Sequence, residues 1–214
     1  MIDRLIKFHS RNNANVSIHA APGHFVTAHS HINYYIDLTS LKTRLNEAKA
    51  VAGLLASEYA PNTTIIDTIV CMDGTEVVGA CLAEEFTKRG FFNNNLHETI
   101  YIVSPEYNTD NQIIFRENNV GAIKGKNVIL LLATTTTGNT IKRAEECIDY
   151  YGGKLQGISS MFSTVKDVEG REIHYVFDET DLPGYKAWPR SQCPLCREGL
   201  KVEAIVNGFG YSRL

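Results

Sequence analysis

A run of hydroxyl side chains around one glycine is the segment of this chain whose residue types are best suited to bind an anion. An apolar stretch at 128–133 leads into it, and a helical pattern at 141–151 follows. The first N–H groups of a helix have no intrahelical partner and lie at the positive end of its dipole, so such a turn favours a phosphate. Gly138 has no Cβ, which favours a turn and a close approach of the backbone to the ligand. The predicted phosphate-binding residues are Thr136, Thr137, Gly138, Asn139 and Thr140.

The residues of this segment also bear on other phosphate motifs and on an interpretation without a ligand. The chain contains neither Gly-x-x-x-x-Gly-Lys-Ser/Thr nor Gly-x-Gly-x-x-Gly, which excludes two common phosphate motifs. A buried strand that ends in a threonine-rich turn and a helix N-cap would explain the residues without a ligand. Ordinary capping does not need four consecutive threonines at 134–137, and this excess favours the anion site.

Composition and charge favour one soluble domain with a small-molecule partner. With 214 residues, 43% of them hydrophobic, the chain can bury a full core. A net charge of −3 and the lack of a basic run argue against a nucleic-acid or membrane surface. No segment has the pattern of a signal peptide, and the apolar runs are shorter than the roughly 20 residues that span a bilayer. We therefore expect a cytoplasmic protein with reduced thiols, since its five cysteines are odd in number.

Alternating strands and helices predict an α/β, doubly wound and mostly parallel sheet with a small N-terminal hood. The predicted core strands are 64–70, 99–103, 128–133 and 154–162, and the predicted helices are 41–59, 77–89 and 141–151. Two short strands at 23–27 and 34–38 would form the hood, and helical spacing at 1–11 would cover a sheet edge or a partner subunit. The predicted divisions are an N-terminal helix and substrate-side hood at 1–62, a core at 63–180, and an extension with Cys-x-x-Cys at 181–214 that belongs to the same domain. The glycine-rich tail would pack over the core or cross to a second subunit.

A second polar loop follows the first predicted core strand. Asp73, Gly74 and Thr75 come directly after it, and the carboxyl ends of parallel strands meet at one edge of a sheet. This loop and the threonine-rich turn should therefore face the same crevice. The polar segment 105–119 is long for a compact domain, which predicts a mobile flap over that crevice.

Four segments, taken in order, resemble the type I phosphoribosyltransferases, and among them the orotate phosphoribosyltransferases. They are Gly23-His-Phe-Val with Tyr34-Tyr-Ile-Asp-Leu38, then 67–76, then 101–119, and finally Thr136-Thr-Gly-Asn-Thr140. The resemblance implies transfer of ribose 5-phosphate from phosphoribosyl pyrophosphate to orotate or a related pyrimidine, in pyrimidine nucleotide biosynthesis. It also implies Mg²⁺ bound through the pyrophosphate, and a homodimer. By position, the resemblance implies that the threonine-rich turn would hold the 5′-phosphate. Asp73, Gly74 and Thr75 would approach the pyrophosphate, and Tyr34 or Tyr35 would border the base.

The sequence departs from the family pattern where catalysis needs charge. Leu132 and Ala133 stand where the family has two carboxylates, whose loss should slow the step because positive charge develops on the ribose there. Residues 101–115 lack the lysine, arginine and histidine of the family's catalytic loop, and Thr27 replaces an expected lysine. The catalytic residues are thus unknown. Either a divergent enzyme uses other residues, or the chain is a catalytically impaired phosphoribosyl-ligand-binding or regulatory module. The candidate substitutes are Glu76, Lys42, Arg44 and Arg116.

Cys193 and Cys196 have the spacing of a metal knuckle, but a structural zinc site needs four ligands. A second pair would have to come from His174, Cys147 or a symmetry-related chain, so structural thiols and no metal are the favoured interpretation. Three other histidines, His24, His29 and His31, lie close in sequence without a neighbouring carboxylate or cysteine. A metal site among them is disfavoured, and His29 and His31 would instead border the base pocket.

Overall fold

The computed structural model describes residues 4–11, 13–61, 63–110 and 112–214. The strands are β1 Ile6–His9, β2 Ser17–Val26, β3 His31–Asp37, β4 Thr68–Cys71, β5 Tyr101–Val103, β6 Glu106–Tyr107, β7 Ile113–Ile114, β8 Asn127–Thr135, β9 Lys154–Ser163, β10 Asp167–Val168, β11 Arg171–Asp178, β12 Ala187–Trp188, β13 Ala204–Asn207 and β14 Gly210–Arg213. The helices are α1 Thr39–Thr43, α2 Leu45–Ser57, α3 Glu76–Lys88, α4 Glu117–Val120, α5 Asn139–Tyr150 and α6 Pro194–Arg197.

The central sheet has the strand order β10-β11-β9-β8-β4-β5, and every neighbouring pair except β10–β11 is parallel. Residues 128–133 of β8 are fully buried, as expected for a strand covered on both faces. One face contributes to a core with α2 and α3, and the other packs with α5. On α5 the buried residues Ile141, Ala144 and Ile148 recur at helical spacing. The predicted α/β sheet with helices on both faces is confirmed.

A second sheet forms the hood, in the order β12-β3-β2-β13-β14, with β1 also paired to β2. The predicted hairpin is confirmed as β2 and β3, both longer than expected. Three of its strands come from the C-terminal extension, whose β13 runs parallel to β2 with Ala204 opposite Phe25. The tail therefore folds back onto the hood of its own chain.

Helical spacing near the N-terminus was a wrong prediction within the described residues. Residues 6–9 form β1, which pairs antiparallel with the first half of β2. Ile6 lies opposite Ala20, and His9 lies opposite Ser17. Unpaired backbone groups at the edge of β2 explain why tertiary pairing overrides the local pattern. The segment does cover a sheet edge, as predicted, but as a strand. Residues 1–3 lie outside the described part of the chain.

The predicted helix 41–59 is two helices, broken at Arg44, which has an extended backbone. The hydroxyl of Thr43 donates to the Thr39 carbonyl at 2.7 Å, a contact that disturbs helical geometry. The first core strand begins at Thr68 rather than at 64. Asp67 is fully buried there and accepts hydrogen bonds from the backbone of Asn94 and from Asn127.

The polar segment 105–119 contains the short hairpin β6–β7 followed by α4. Ile113 and Phe115 anchor it in the core beside α5. β11 is a fifth parallel strand, which the sequence patterns did not predict. None of the helices within the described ranges is long and apolar enough to span a membrane.

Candidate functional site

The threonine-rich turn connects the carboxyl end of β8 to the N-terminus of α5. Gly138 precedes the helix with φ of 77°, a left-handed conformation that suits glycine. The N-cap residue is Gly138 itself, which makes no side-chain cap hydrogen bond, so the cap residue gives the first N–H groups of the helix no acceptor. The Thr164 hydroxyl donates to the Thr136 carbonyl at 2.9 Å, and the buried Thr135 hydroxyl donates to Ser160 at 3.2 Å. These contacts connect the turn to the end of β9 and the residue after it.

An open cavity of about 390 Å³ lies in front of this turn. Its walls come from the end of β8 and the start of α5, from Asp73 after β4, from Tyr107 on β6, from the β2–β3 loop and from the β13–β14 turn. Its lining residues are Thr27, Ala28, His29, Asp73, Tyr107, Leu132, Thr134, Thr135, Thr136, Thr137, Gly138, Asn139, Thr140, Ile141, Arg143, Val206, Asn207, Gly208 and Phe209. All five predicted phosphate-binding residues therefore lie together on one wall.

Arg143 lines the same cavity one turn beyond the start of α5. Arg143 was not among the predicted site residues. Residues four apart on a helix share a face, so its position after Asn139 was the signal that places a cation beside the turn. The cavity thus combines a helix N-terminus, several hydroxyl groups and one guanidinium, a set that recognises a phosphate.

The structure changes the reason for glycine at position 138. A Cβ built there would lie 2.5 Å from Cγ2 of Val168, which belongs to β10. Glycine is therefore required by its left-handed backbone and by the close packing of Val168, rather than by space for a ligand alone.

Of the three residues predicted to approach pyrophosphate, Asp73 is the one that lines the cavity. Thr75 is fully buried, and its hydroxyl donates to the Met72 carbonyl at 2.9 Å. Gly74 packs against the Phe209 ring, because a Cβ built on Gly74 would lie 3.7 Å from the nearest ring atoms. Within the described structure, the Thr75 side chain stabilises the turn rather than facing a ligand, because its donor is used inside the protein.

Asp73 is held in a strained and desolvated position. Its φ of 57° is unusual for a residue other than glycine. A Cβ on Gly208 would come within 2.6 Å of three Asp73 side-chain atoms, so the β13–β14 turn packs directly on this carboxylate. Burial raises the pKa of Asp73 above its ordinary value, against an opposite effect of Lys42.

Lys42 joins the Asp73 loop to the C-terminal hairpin. The sequence analysis treated it as one of several candidate catalytic cations, and such residues are usually solvated. It is instead 6% exposed. Its ammonium group donates to the carbonyl of Asp73 at 3.0 Å and to that of Gly208 at 2.5 Å, and lies 5.9 Å from the centre of the Phe209 ring. Burial lowers the pKa of Lys42.

Tyr34 and Tyr35 point to opposite faces of β3, as alternation along a strand requires. Tyr35 is buried, and it lines a small pocket that shares Thr27, Thr134 and Asn207 with the main cavity. Tyr34 packs its ring edge on Phe8, with ring centres 6.5 Å apart, and does not line the main cavity or the two small pockets beside it. Of the two tyrosines, Tyr35 is the one that lies beside the main cavity.

The predicted flap reaches the cavity through Tyr107, whose pKa is raised by burial. Arg116, the proposed substitute for the missing cations, is exposed and donates through two nitrogens to Glu106, at 2.9 and 2.6 Å. Two further candidates also have partners outside the cavity lining. Glu76 accepts from Ser104 at 2.6 Å, and Arg44 pairs with Glu47 at 3.2 Å.

Leu132 and Ala133 are fully buried near the end of β8, and Leu132 also contributes to the cavity wall. The carboxylates that the resemblance led us to expect at these positions are thus replaced by apolar side chains. Thr27 lines the cavity, but its hydroxyl is used within the β2–β3 loop, donating to the Ser30 carbonyl at 3.1 Å. His29 borders the cavity, as predicted, whereas His31 lies in a separate group with His24.

The two proposed partners of Cys193 and Cys196 lie elsewhere. His174 packs on Tyr59, with ring centres 4.5 Å apart, and the Cys147 thiol donates to the Ile113 carbonyl at 3.2 Å. The cysteine pair instead adjoins His24 and His31.

Comparison with solved structures finds similar chains of low sequence identity. Adenine phosphoribosyltransferase from Trypanosoma brucei matches with a TM-score of 0.52 and 12% identity over 76% of this chain and 78% of that one. Adenine phosphoribosyltransferase from Thermoanaerobacter pseudethanolicus matches with a TM-score of 0.50 and 15% identity, over 83% of this chain and 96% of that one. UMP synthase from Leishmania donovani matches with a TM-score of 0.51 and 18% identity, over 71% of this chain and 31% of that one. No protein-family model matches the sequence, and no curated protein matches it.

These likenesses do not favour the orotate enzymes over the adenine enzymes. At such identities they establish architecture alone. The chain has the fold of the type I phosphoribosyltransferases.

Proposed function

We propose that the cavity binds a phosphorylated ribose, and that the protein transfers ribose 5-phosphate from phosphoribosyl pyrophosphate to a nitrogenous base. Orotate or a related pyrimidine is the proposed acceptor, which rests on the resemblance at 23–38. The observation that carries the proposal is the uncapped N-terminus of α5, with Gly138 and Arg143, opening into a cavity large enough for a sugar phosphate.

The 5′-phosphate is assigned to residues 136–140. Backbone N–H groups at the start of α5 and the hydroxyl groups of Thr136, Thr137 and Thr140 supply donors, and Arg143 supplies charge. The structure of the Trypanosoma brucei enzyme was obtained with AMP, pyrophosphate and ribose 5-phosphate, all of them phosphorylated. A terminal phosphate held here would direct the sugar toward Asp73 and Tyr107, which lie on other walls of the cavity.

A second candidate function is binding without turnover. Leu132 and Ala133 offer no charge to a ribose that becomes positive, and Arg116 is paired with Glu106. Loss of one stabilising group at a transition state typically costs on the order of 10²- to 10³-fold in rate. A phosphate site with so few catalytic charges fits a sensor of phosphoribosyl compounds.

One experiment separates the two candidates. Purified protein is mixed with phosphoribosyl pyrophosphate, Mg²⁺ and orotate, uracil or adenine in turn, while release of pyrophosphate and binding of the donor by calorimetry are measured. Turnover with orotate supports the transferase, and turnover with another base corrects the acceptor. Saturable binding without turnover supports the sensor. Neither binding nor turnover would contradict both.

Arg143 gives a test of the phosphate wall. Replacing Arg143 with glutamine should weaken ribose 5-phosphate binding about 10- to 100-fold, because a charge-assisted contact is lost. Lys142→Gln is the matched control, since Lys142 pairs with Glu169 at 2.6 Å and is not among the cavity-lining residues. Calorimetry measures both affinities. Equal affinities for the two variants would remove Arg143 from the site.

Asp73 gives a test that depends on pH. Its pKa is raised in the folded chain, so the folded state binds the proton more tightly, and this contribution to stability is lost as pH rises through the folded-state pKa. Asp73→Asn should therefore raise the Tm at neutral pH, with an advantage that disappears in acid below the ordinary value of 3.8. Asparagine also tolerates the left-handed backbone. Asp110→Asn, at an exposed position, is the control. A neutral-pH Tm no higher than that of the parent would contradict the burial argument.

Asp73 is also the residue that fits Mg²⁺ when a pyrophosphate is present. Mg²⁺ is commonly held by one or two carboxylates together with substrate phosphates, and Asp73 is the carboxylate among the described cavity-lining residues. The ion would neutralise charge on the departing pyrophosphate.

A homodimer is also part of the proposal, and light scattering of the purified chain measures its oligomeric state.

A further inference from the structure

Two histidines and two cysteines from distant parts of the sequence converge at one end of the hood. His24 lies on β2 and His31 begins β3. Cys193 directly precedes α6, and Cys196 lies within it. One ligand atom of each lies within 4.8 Å of the corresponding atoms of the other three. None of the four lines the cavity described above.

Three of four distances among these atoms suit a tetrahedral ion, and the distance between the two histidine nitrogens is shorter. The Nε2 atom of His24 lies 2.9 Å from Nδ1 of His31, and the Cys193 and Cys196 sulfurs lie 3.6 and 3.7 Å from the same Nε2. The Cys196 sulfur lies 3.3 Å from Nδ1 of His31. Ligands at zinc bond lengths in a tetrahedron are separated by roughly 3.2–3.8 Å. Only small shifts would be needed to admit an ion.

The protein holds one of these ligands in the form that metals bind. Nδ1 of His24 lies 2.8 Å from the Leu200 carbonyl, which can only accept, so Nδ1 carries the proton and Nε2 presents its lone pair to the cluster. Such an outer hydrogen bond commonly orients a metal-binding histidine. His24, His31 and Cys193 are buried, and Cys196 is exposed, which provides a route of entry.

We infer that His24, His31, Cys193 and Cys196 bind one Zn²⁺ ion as a structural site. Two thiolates and two imidazoles are a donor set that favours zinc, and four protein ligands complete its tetrahedron without an open position for chemistry. The inference goes beyond the proposed function, because the cluster lies outside the cavity lining.

The ion would connect the C-terminal extension to the β2–β3 hairpin. His24 and His31 flank the loop whose Thr27, Ala28 and His29 line the cavity. Closing this loop by a metal restrains it against the extension, since a metal clip removes freedom from the unfolded chain. The zinc thus stabilises one wall of the ligand cavity.

Zinc content and a cobalt spectrum test the site. The full chain is produced with added zinc and analysed by mass spectrometry of the metal, then freed of metal and titrated with Co²⁺. We expect one zinc per chain, and with Co²⁺ a thiolate-to-metal charge-transfer band and the strong visible bands of tetrahedral coordination. Metal content equal to that of Cys193→Ser, with no such bands, would overturn the inference. So would a Cys193–Cys196 disulfide in the freshly isolated protein.

Two cysteine variants complete the test. Cys196→Ser should lower zinc affinity by more than the 10- to 100-fold that loss of an outer partner typically costs, with a weaker charge-transfer band. Because Cys196 is exposed, this variant should fold. Cys81→Ser is the control, because Cys81 lies on α3 outside the cluster and should leave zinc binding unchanged. Equal affinity for the two variants would contradict the inference. Both readouts are independent of phosphate binding, so they can fail while the proposed function stands.

Discussion

Gly138→Val should destabilise the protein by about 2 to 5 kcal/mol and abolish binding of ribose 5-phosphate. Two effects add. Valine is β-branched and strongly disfavours a φ of 77°, and its Cβ would lie 2.5 Å from Cγ2 of Val168. Displacement of the backbone here moves the N–H groups at the start of α5 that are proposed to hold the phosphate. Chemical denaturation and calorimetry measure the two losses.

Controls separate a local effect from a general one. Gly121→Ala is a matched glycine substitution, because Gly121 has an ordinary helical φ and a Cβ there would meet nothing within 4 Å. It should leave stability and binding near those of the parent. The double variant Gly138→Asn/Val168→Ala relieves both the backbone strain and the contact, and should recover most of the stability. If the Gly138→Val variant were as stable as the Gly121→Ala variant, the assigned role of Gly138 would be contradicted.

Lys42→Met is expected to have the second large effect. Removing the ammonium group leaves the carbonyls of Asp73 and Gly208 without the donor that joins them, at a cost of about 2 to 4 kcal/mol. The β13–β14 turn would lose this link to the Asp73 loop, and ligand affinity should fall at least about 10-fold, since both loops line the cavity. Methionine keeps much of the aliphatic volume, so the change isolates the charge and its hydrogen bonds.

Arg44→Met is the matched control for Lys42. Arg44 lies two residues further along, is exposed and pairs only with Glu47 among the described contacts. An exposed ion pair of this kind contributes little, so we expect a change in unfolding free energy of less than about 1 kcal/mol. Thermal and urea unfolding of both variants measure the difference. Indistinguishable curves would show that Lys42 does not link the two loops.

The sequence was most informative where the signal is local. The apolar run at 128–133, the threonines and Gly138 together predicted β8, the turn and α5, because each depends on neighbouring residues. The fold class followed from the alternation of such segments. The five residues predicted to bind phosphate share one cavity wall for the same reason.

Contacts between residues far apart in the chain were not predicted from the sequence. Nothing local distinguishes Lys42, whose ammonium is buried against Gly208, from the exposed Arg44 two residues later. The same holds for the β13–β2 pairing of Ala204 with Phe25, which brings the tail onto the hood. Local composition cannot specify contacts between residues so far apart in the chain.

Two residue groups were each recognised without being joined. The histidines near 24–31 and the cysteines at 193 and 196 were considered as separate metal candidates, and each alone lacks the four ligands that zinc needs. Thr75 shows the opposite case. Its residue type suits a phosphate, but its hydroxyl donates to Met72 inside the protein.

A titration of the ¹⁵N-labelled protein with ribose 5-phosphate, followed by amide NMR, tests the central claim most directly. Ribose without the phosphate and inorganic phosphate alone are titrated in parallel. The account predicts saturable shifts that are largest at the amides of 136–141, stronger for ribose 5-phosphate than for ribose. Shifts that do not saturate, or a saturable response confined to residues away from this turn, would contradict a phosphate site at the N-terminus of α5.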